Sequence, residues 1–181
     1  MSGKLTLISS ATASGSASLS FTSGIDSTYD EYQFWFVDIH PATDAAEFSF
    51  QVDSSSGSSF NKTMTTSYYR AYHFESDGAA VLGYDTASDQ ANGTGYQTLA
   101  LDVDNDADSC VAGKLCLYRP SSTSLVKHFM SETQYSYDGG ASFNAFAAGY
   151  INEPTTAISK VSFKFSSGNI DAGQIHMFGV S

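Results

Sequence analysis

The sequence has 181 residues and a net charge of −11, from 8 Lys and Arg against 19 Asp and Glu, and only 15% of its residues are charged. This length fits one domain with a sizeable core, and a hydrophobic content of 41% excludes a disordered chain. So few cations cannot form the basic stripe that nucleic acid requires or a polybasic anchor for anionic lipid. The sequence therefore predicts a single domain over residues 1–181, with neither nucleic acid nor a membrane as partner.

The residue composition indicates the class of fold. Hydroxyl residues are abundant, with 30 Ser and 15 Thr, and the 11 Tyr and 13 Phe outnumber the Lys and Arg. These residue types are poor helix formers and suit the pleated, half-buried surface of a strand. An all-β domain is therefore expected.

Two predicted strands differ in their hydrophobic pattern. Tyr32–Ile39 is apolar at alternating positions on both faces, which predicts a central strand covered on both sides. Glu47–Asp53 alternates between apolar and polar residues, which predicts a strand with one buried face and one solvent-facing side. The expected inward residues are Phe48, Phe50 and Val52, and the expected outward residues are Glu47, Ser49, Gln51 and Asp53.

The remaining predicted strands are separated by Gly, Ser, Asp and Pro breaks. Only Thr86–Ala91 leaves room for a helical turn. About ten short strands with such breaks indicate an antiparallel two-sheet β-sandwich of jelly-roll type, with little or no helix. These strands are predicted at Lys4–Ser9, Ser16–Phe21, Thr65–Glu75, Tyr96–Leu101, Lys114–Tyr118, Leu125–Ser131, Ala145–Ile151, Ser159–Phe165 and Gln174–Val180.

The two cysteines, Cys110 and Cys116, allow two interpretations. A core of this size does not need a disulfide framework, which favours reduced thiols. In an oxidising setting the pair could instead bridge a tight hairpin. Their spacing fits no zinc pattern.

One dense acidic run is a candidate calcium site. Oxygen ligands at every second position can wrap a calcium ion, as in the first half of an EF-hand loop. However, the sixth position is Ala107 where the loop needs Gly, and the twelfth is Gly113 where it needs Glu, so a solvated acidic loop is favoured and no cofactor is predicted. The candidate ligands are Asp102, Asp104, Asp106 and Asp108.

Catalytic motifs are absent from the sequence. It contains no Gly-x-Ser-x-Gly elbow, phosphate-binding glycine loop or His-Glu-x-x-His pattern, and its four histidines share no ligand spacing. The aromatic run Tyr68–Phe74 has two interpretations, a carbohydrate-stacking platform or, more simply, strand core with some exposed tyrosines. We therefore predict a protein that is not an enzyme.

Distinctive motifs occur along nearly the whole chain. They are Leu7–Asp26, Tyr32–Phe36, Asp38–Asp44, Arg70–His73, Leu82–Tyr84, Pro120–Ser124, Lys127–Phe129, Ser166–Gly173 and Ile175–Gly179. Together they resemble a family of short structural proteins of marine tailed bacteriophages. The resemblance implies a jelly-roll or lectin-like sandwich in the virion, as a capsid decoration or a tail or fibre component, and it implies no catalytic residues. It also implies assembly in the host cytoplasm, which agrees with the lack of a signal-peptide pattern at the start and favours reduced cysteines.

The function expected from these observations is that of an exterior virion protein that acts through self-association or contact with other virion proteins. Facing packaged DNA would place a net charge of −11 against phosphate, which is unfavourable. One alternative is a lectin-like module that recognises host surface glycans, with exposed aromatics and convergent amide or carboxylate groups. A third is a glycan depolymerase.

Overall fold

The chain folds as an all-β structure in which every strand pairing is antiparallel. The structure is a computed structural model that describes residues 3–181, and within that range it contains twelve strands and no helix. All the predicted strands are confirmed, although several bounds move by a few residues, and β6 is a strand that the sequence did not predict. The strands are β1 Leu5–Thr12, β2 Leu19–Phe21, β3 Glu31–Pro41, β4 Ala46–Asp53, β5 Met64–Phe74, β6 Ala80–Tyr84, β7 Gln97–Val103, β8 Val111–Tyr118, β9 Lys127–Tyr137, β10 Ala141–Ile151, β11 Lys160–Phe165 and β12 Ile170–Val180.

The strands form the two layers of a sandwich. The larger layer has eight strands in the order β1-β12-β3-β8-β9-β10-β5-β6, and the smaller has four in the order β7-β4-β11-β2. The single register pair Val103↔Tyr137, between β7 and β9, joins them. The predicted two-sheet sandwich is therefore confirmed, with the layers joined where the last residues of β7 and β9 meet.

Phenylalanine rings fill the space between the layers. Phe163, on the smaller layer, has its ring centroid 5.4 Å from that of Phe34 and 5.3 Å from that of Phe36, both on β3. Phe50 on β4 meets Phe129 on β9 at 4.9 Å. All five rings are buried, so the apolar faces of the two layers meet in one core.

The prediction that β3 is covered on both sides is wrong. Phe34 and Phe36 point into the core, but Trp35 and Val37 are 39% and 40% exposed on the opposite face. A β-bulge between Phe36 and Ile39 then turns Ile39 inward. Only one face of β3 is therefore buried, and its other face presents aromatic surface to solvent.

The prediction that the second face of β4 meets solvent is also wrong. Phe48, Phe50 and Val52 are buried as expected, but so are Ser49, Gln51 and Asp53, and Glu47 is half-buried. Loops cover this face, and Gln51 Nε2 donates to three of their carbonyl oxygens: Lys62 O at 3.0 Å, Thr94 O at 3.2 Å and Gly95 O at 2.7 Å. Polar side chains are tolerated inside the protein because such bonds satisfy them.

Two buried charged residues fix neighbouring loops to the sheets. Asp53 accepts hydrogen bonds from the backbone N–H groups of Ser54 and Ser59, at 2.8 and 3.1 Å. Lys127 is fully buried, and its Nζ donates to the carbonyl oxygens of Glu153 and Thr156. Each charge therefore orders backbone that has no strand partner.

The cysteines are free, and a disulfide between them is excluded. Cys110 precedes β8 and Cys116 lies within it, with no turn between them that would fold one back on the other. Six residues of extended chain separate their Cα atoms by roughly 20 Å, far more than the roughly 7 Å that a disulfide allows. The hairpin-bridge interpretation is wrong, and burial raises the pKa of both thiols.

Candidate functional site: the outer face of the larger layer

The side of the eight-stranded layer that points away from the core, called here the outer face, is the broadest surface of the molecule built from regular strands. Cross-strand register aligns one residue from each strand into a continuous row, called here the central row. Its members, in strand order, are Ser10, His176, Trp35, Lys114, Glu132, Phe146, Tyr69 and Tyr84. This row is rich in aromatic rings and divides the outer face into two sides.

Trp35 is the central row's most firmly held ring. Its indole Nε1 donates to Gln33 Oε1 at 2.9 Å, and Gln33 Nε2 in turn donates to Glu31 Oε1 at 2.7 Å. One side of the ring packs against Phe178, with centroids 4.8 Å apart and planes tilted by 48°. The orientation of the indole is therefore fixed while more than a third of its surface remains open to solvent.

Small and amide side chains form a depression along one side of the central row, called here the amide groove. Ala112, Gln134, Asn144 and Ala71 are register neighbours on four adjacent strands. A hollow of about 420 Å³ lies between Trp35 and Asn144, and a second of about 460 Å³ lies between Asn144 and β6. Asn144 lines both hollows, which follow one another across the strands.

An uncharged row follows the other side of the central row and is called here the apolar strip. Met130 is 58% exposed and Leu7 is 55% exposed, and a hollow of about 440 Å³ lies beside Met130. Register pairs connect the strip across seven strands, through Leu7, Phe178, Gln33, Cys116, Met130, Ala148 and Ser67. The two sides of the central row thus differ in chemistry, one having amides and the other apolar groups.

The acidic residues gather around a hollow of about 710 Å³ between loops at one end of the sandwich. This hollow adjoins the amide groove, since it shares Gln134 with the first groove hollow and His73 and Ser142 with the second. Asp104 closes its own loop, since its carboxylate accepts from Asp106 N at 3.0 Å and Ser109 Oγ at 2.9 Å. Asp44 Oδ1 accepts from Ala45 N and Asn105 N. These carboxylates therefore stabilise turns.

The four calcium candidates do not converge. Asp104, Asp106 and Asp108 line the acidic hollow, but Asp102 does not, and within residues 3–181 no three His, Cys, Asp or Glu side chains are grouped to hold a metal ion. Asp102 is half-buried, and burial raises the pKa of its carboxyl despite the opposing charge of Arg70. That preference for the neutral form does not suit a calcium ligand.

We expect calcium to leave the stability of the protein unchanged. A bound cation stabilises a fold in proportion to the logarithm of its concentration over its dissociation constant, so millimolar calcium would reveal even a loose site. Differential scanning calorimetry of chelator-treated protein, with and without calcium, should give melting temperatures within about 2 °C of each other. An increase of ten degrees would contradict this expectation, and an Asp104→Asn variant would then show whether this loop is responsible.

The aromatic run Tyr68–Phe74 divides between the core and the surface. Tyr68 is buried, and Tyr72 and Phe74 pack against the core cluster. Tyr69 is 41% exposed on the central row, where its ring stacks on that of Phe146 at 4.9 Å and 13°. The interpretation as strand core with some exposed tyrosine is the one the structure supports. Trp35 lies on the strand that the sequence predicts to be covered on both sides, and it is the functional candidate that sequence reasoning missed.

Comparison of the chain with protein-family models, with curated proteins and with solved structures yields no match in any of the three. None of the three comparisons identifies a family of phage structural proteins. The resemblance to such a family therefore rests on the sequence motifs alone. In the part of the chain that the structure describes, no helix is long and apolar enough to cross a membrane.

Proposed function

We propose that the protein is a non-enzymatic component of the exterior of a bacteriophage particle, a capsid decoration or a tail- or fibre-associated protein. It acts by packing its outer face against neighbouring copies or other virion proteins. The sequence resemblance supplies the setting of this proposal, and the apolar strip supplies its physical basis.

The observation that carries the proposal is the lack of charge along the apolar strip. Its seven register-aligned residues include no Asp, Glu, Lys or Arg, although the chain has a net charge of −11. Charged residues are depleted from the centres of protein interfaces, where methionine and aromatic residues are enriched. Exposed Leu7 and Met130 can be buried against a partner at little desolvation cost.

In a symmetric virion the same contact is repeated many times, which makes such a strip sufficient for attachment. A stable pairwise contact buries on the order of 1,000 Å² or more, which the strip and its flanking residues must supply together. When symmetry presents the same contact many times, a modest interface holds by multivalency. The charge balance supports an exterior position, because the acidic surface would be repelled by packaged DNA.

Purified particles of the phage that encodes this chain should contain it, and an amine-reactive label should reach it before the particles are disrupted. Lys4 is exposed, whereas Lys127 is fully buried. Mass spectrometry should therefore find label on Lys4 of intact particles and on Lys127 only after unfolding. Absence of the protein from the particles would contradict the virion role, and label on Lys4 only after disruption would contradict the exterior position.

A pair of matched variants tests the apolar strip itself. Met130→Asp places a charge in the strip, whereas Gln134→Asp places the same charge four residues along the same strand, in the amide groove. We expect Met130→Asp to reduce incorporation into particles by about tenfold or more, since burying an unpaired charge at an interface is costly. Gln134→Asp should be incorporated normally, and equal loss in both variants would contradict a contact through the strip.

A further inference from the structure

We propose that the amide groove binds a neutral polysaccharide, with one sugar ring stacked on Trp35 and the following rings lying across the strands towards β6. This site lies on the other side of the central row from the apolar strip, although Gln33 and Phe178 of the strip hold Trp35 in place. It adds a glycan-binding activity to the proposed structural role. Glycan binding needs only the outer face, so it can be measured on the purified protein without incorporation into a particle.

The chemistry of the groove matches that of a sugar chain. A pyranose ring has one face of C–H groups, which packs on an aromatic ring, and a rim of hydroxyls that both donate and accept hydrogen bonds. Trp35 supplies the exposed ring at one end of the first hollow, and Gln134 and Asn144 supply amides that both donate and accept.

The groove is held in shape before any ligand arrives. The indole of Trp35 is oriented by its bond to Gln33 and by Phe178 behind it, and Gln134 Nε2 donates to Ser142 Oγ at 3.2 Å. All the lining positions are on paired strands, which are more rigid than loops. Little conformational entropy is therefore lost on binding.

The charge of the groove favours a neutral ligand. Lys114 and Glu132 are register partners beside Trp35, and their charges cancel where the ligand would lie. The rest of the protein is strongly acidic, so a sulfated or carboxylated polysaccharide would be repelled over a distance of several ångströms. Nucleic acid is disfavoured for the same reason.

The length of the groove favours a chain over a single sugar. From Trp35 on β3 to Ala80 on β6 the groove crosses five strand intervals, or about 24 Å at about 4.8 Å each. Small side chains at Ala112 and Ala71 keep its floor low along that path. Several linked rings can lie in such a depression, each adding a weak contact.

Trp35 is the only tryptophan of the chain, so the tryptophan fluorescence of the protein reports directly on the proposed site. This fluorescence should shift and saturate when a matching polysaccharide is added to the purified protein. The probes are a β-1,3-glucan, a β-1,4-glucan, an α-mannan and a neutral galactan, with a sulfated galactan as the charged comparison. We expect at least one neutral polymer to bind and the sulfated polymer to bind at least tenfold more weakly.

Affinity electrophoresis through gels containing the same polymers tests the residues. Trp35→Ala should weaken binding by about tenfold or more, Trp35→Phe should weaken it less, and Asn144→Ala should weaken it by several-fold. Met130→Ala, on the opposite side of the central row, is the matched control and should bind as the wild type does. Circular dichroism checks that each variant remains folded, which the exposure of Trp35 leads us to expect.

Three results would each overturn the proposal: failure of all four neutral polymers to bind, unchanged binding by both Trp35→Ala and Asn144→Ala, or preference for the sulfated polymer. These results are distinguishable from failure of the proposed function. Met130→Asp should lose particle incorporation while it keeps glycan binding. Asn144→Ala, which touches no residue of the strip, should show the reverse.

Discussion

Phe163→Ala is expected to destabilise the protein by about 3–5 kcal/mol, the usual cost of removing a buried phenylalanine ring. The reason is the position of Phe163 at the centre of the aromatic core. Its centroid lies between 5.3 and 6.5 Å from those of five other phenylalanines, on β2, β3 and β4. Alanine would leave a cavity at this position. The five surrounding rings cannot all move into it, because they are close-packed and belong to three different strands.

In a chain of this size that loss corresponds to a fall in melting temperature of roughly 6–20 °C. Calorimetry or thermal circular dichroism can measure it. Trp35→Ala is the matched control, because it removes a larger ring from the solvent-exposed face and should cost much less. Phe48→Ala and Phe50→Ala should behave like Phe163→Ala. Unchanged melting temperatures in these three core variants would contradict the packing of β4 and β11 against β3.

The sequence predicted most strands correctly because strand identity is a local property. Alternation, aromatic content and glycine-rich breaks are all visible within a few residues of each strand. The missed strand β6 has only five residues and contains a glycine. Which faces of a strand are covered is a different question, since the answer lies in parts of the chain far away in sequence.

β3 and β4 show this difference, because the sequence assigned each the burial that the other has. β3 has apolar residues on both of its faces, yet Trp35 and Val37 remain 39% and 40% exposed as aromatic and aliphatic surface. β4 alternates, yet loops containing Lys62 and Gly95 cover its polar face and accept hydrogen bonds from Gln51. Hydrophobicity indicates what a face can tolerate, and only the complete fold determines what covers it.

The candidate site could not have been predicted for the same reason. Gln134 and Asn144 face each other across one hairpin, but Trp35 is far from both in sequence, and only the register across β3, β8, β9 and β10 brings the three together. The acidic run was the most conspicuous feature of the sequence, but its carboxylates stabilise local turns. Residues that join to form a binding surface leave no short motif when each comes from a different strand.

The second large effect is expected at alkaline pH, where the protein should unfold as buried tyrosines ionise. The side chains of Tyr32, Tyr68 and Tyr135 are fully buried, and burial raises the pKa of each phenol above its ordinary value of 10.0. Tyr32 is also fixed in place, since its hydroxyl donates to Asp26 O and accepts from Asp26 N. The folded state therefore holds three phenolic protons more tightly than the unfolded chain does.

The direction of the pH dependence follows from this difference. The stabilisation is fully present below pH 10, where both states keep the protons, and it is lost as the pH rises from 10 through the higher pKa values of the folded state. Burial lowers the pKa of Lys127, which adds stability as the pH approaches 10.5. Lys127 is thus opposed by the three tyrosines and by Cys110 and Cys116, whose pKa burial also raises. Each pH unit of difference between folded and unfolded pKa is worth about 1.4 kcal/mol. The net result above pH 10 is destabilisation.

Tyrosinate absorbance and far-UV circular dichroism, followed together through an alkaline titration, should change in one cooperative step for the buried tyrosines. Tyr135→Phe should make the loss of stability with pH less steep, because one of the three protons is no longer involved. Tyr69→Phe is the matched control, since its side chain is 41% exposed on the outer face and its removal should leave that slope unchanged. If the phenols of Tyr32, Tyr68 and Tyr135 instead titrated gradually while the circular dichroism stayed native, the three rings could not be enclosed between the layers, and the core described for the sandwich would be wrong.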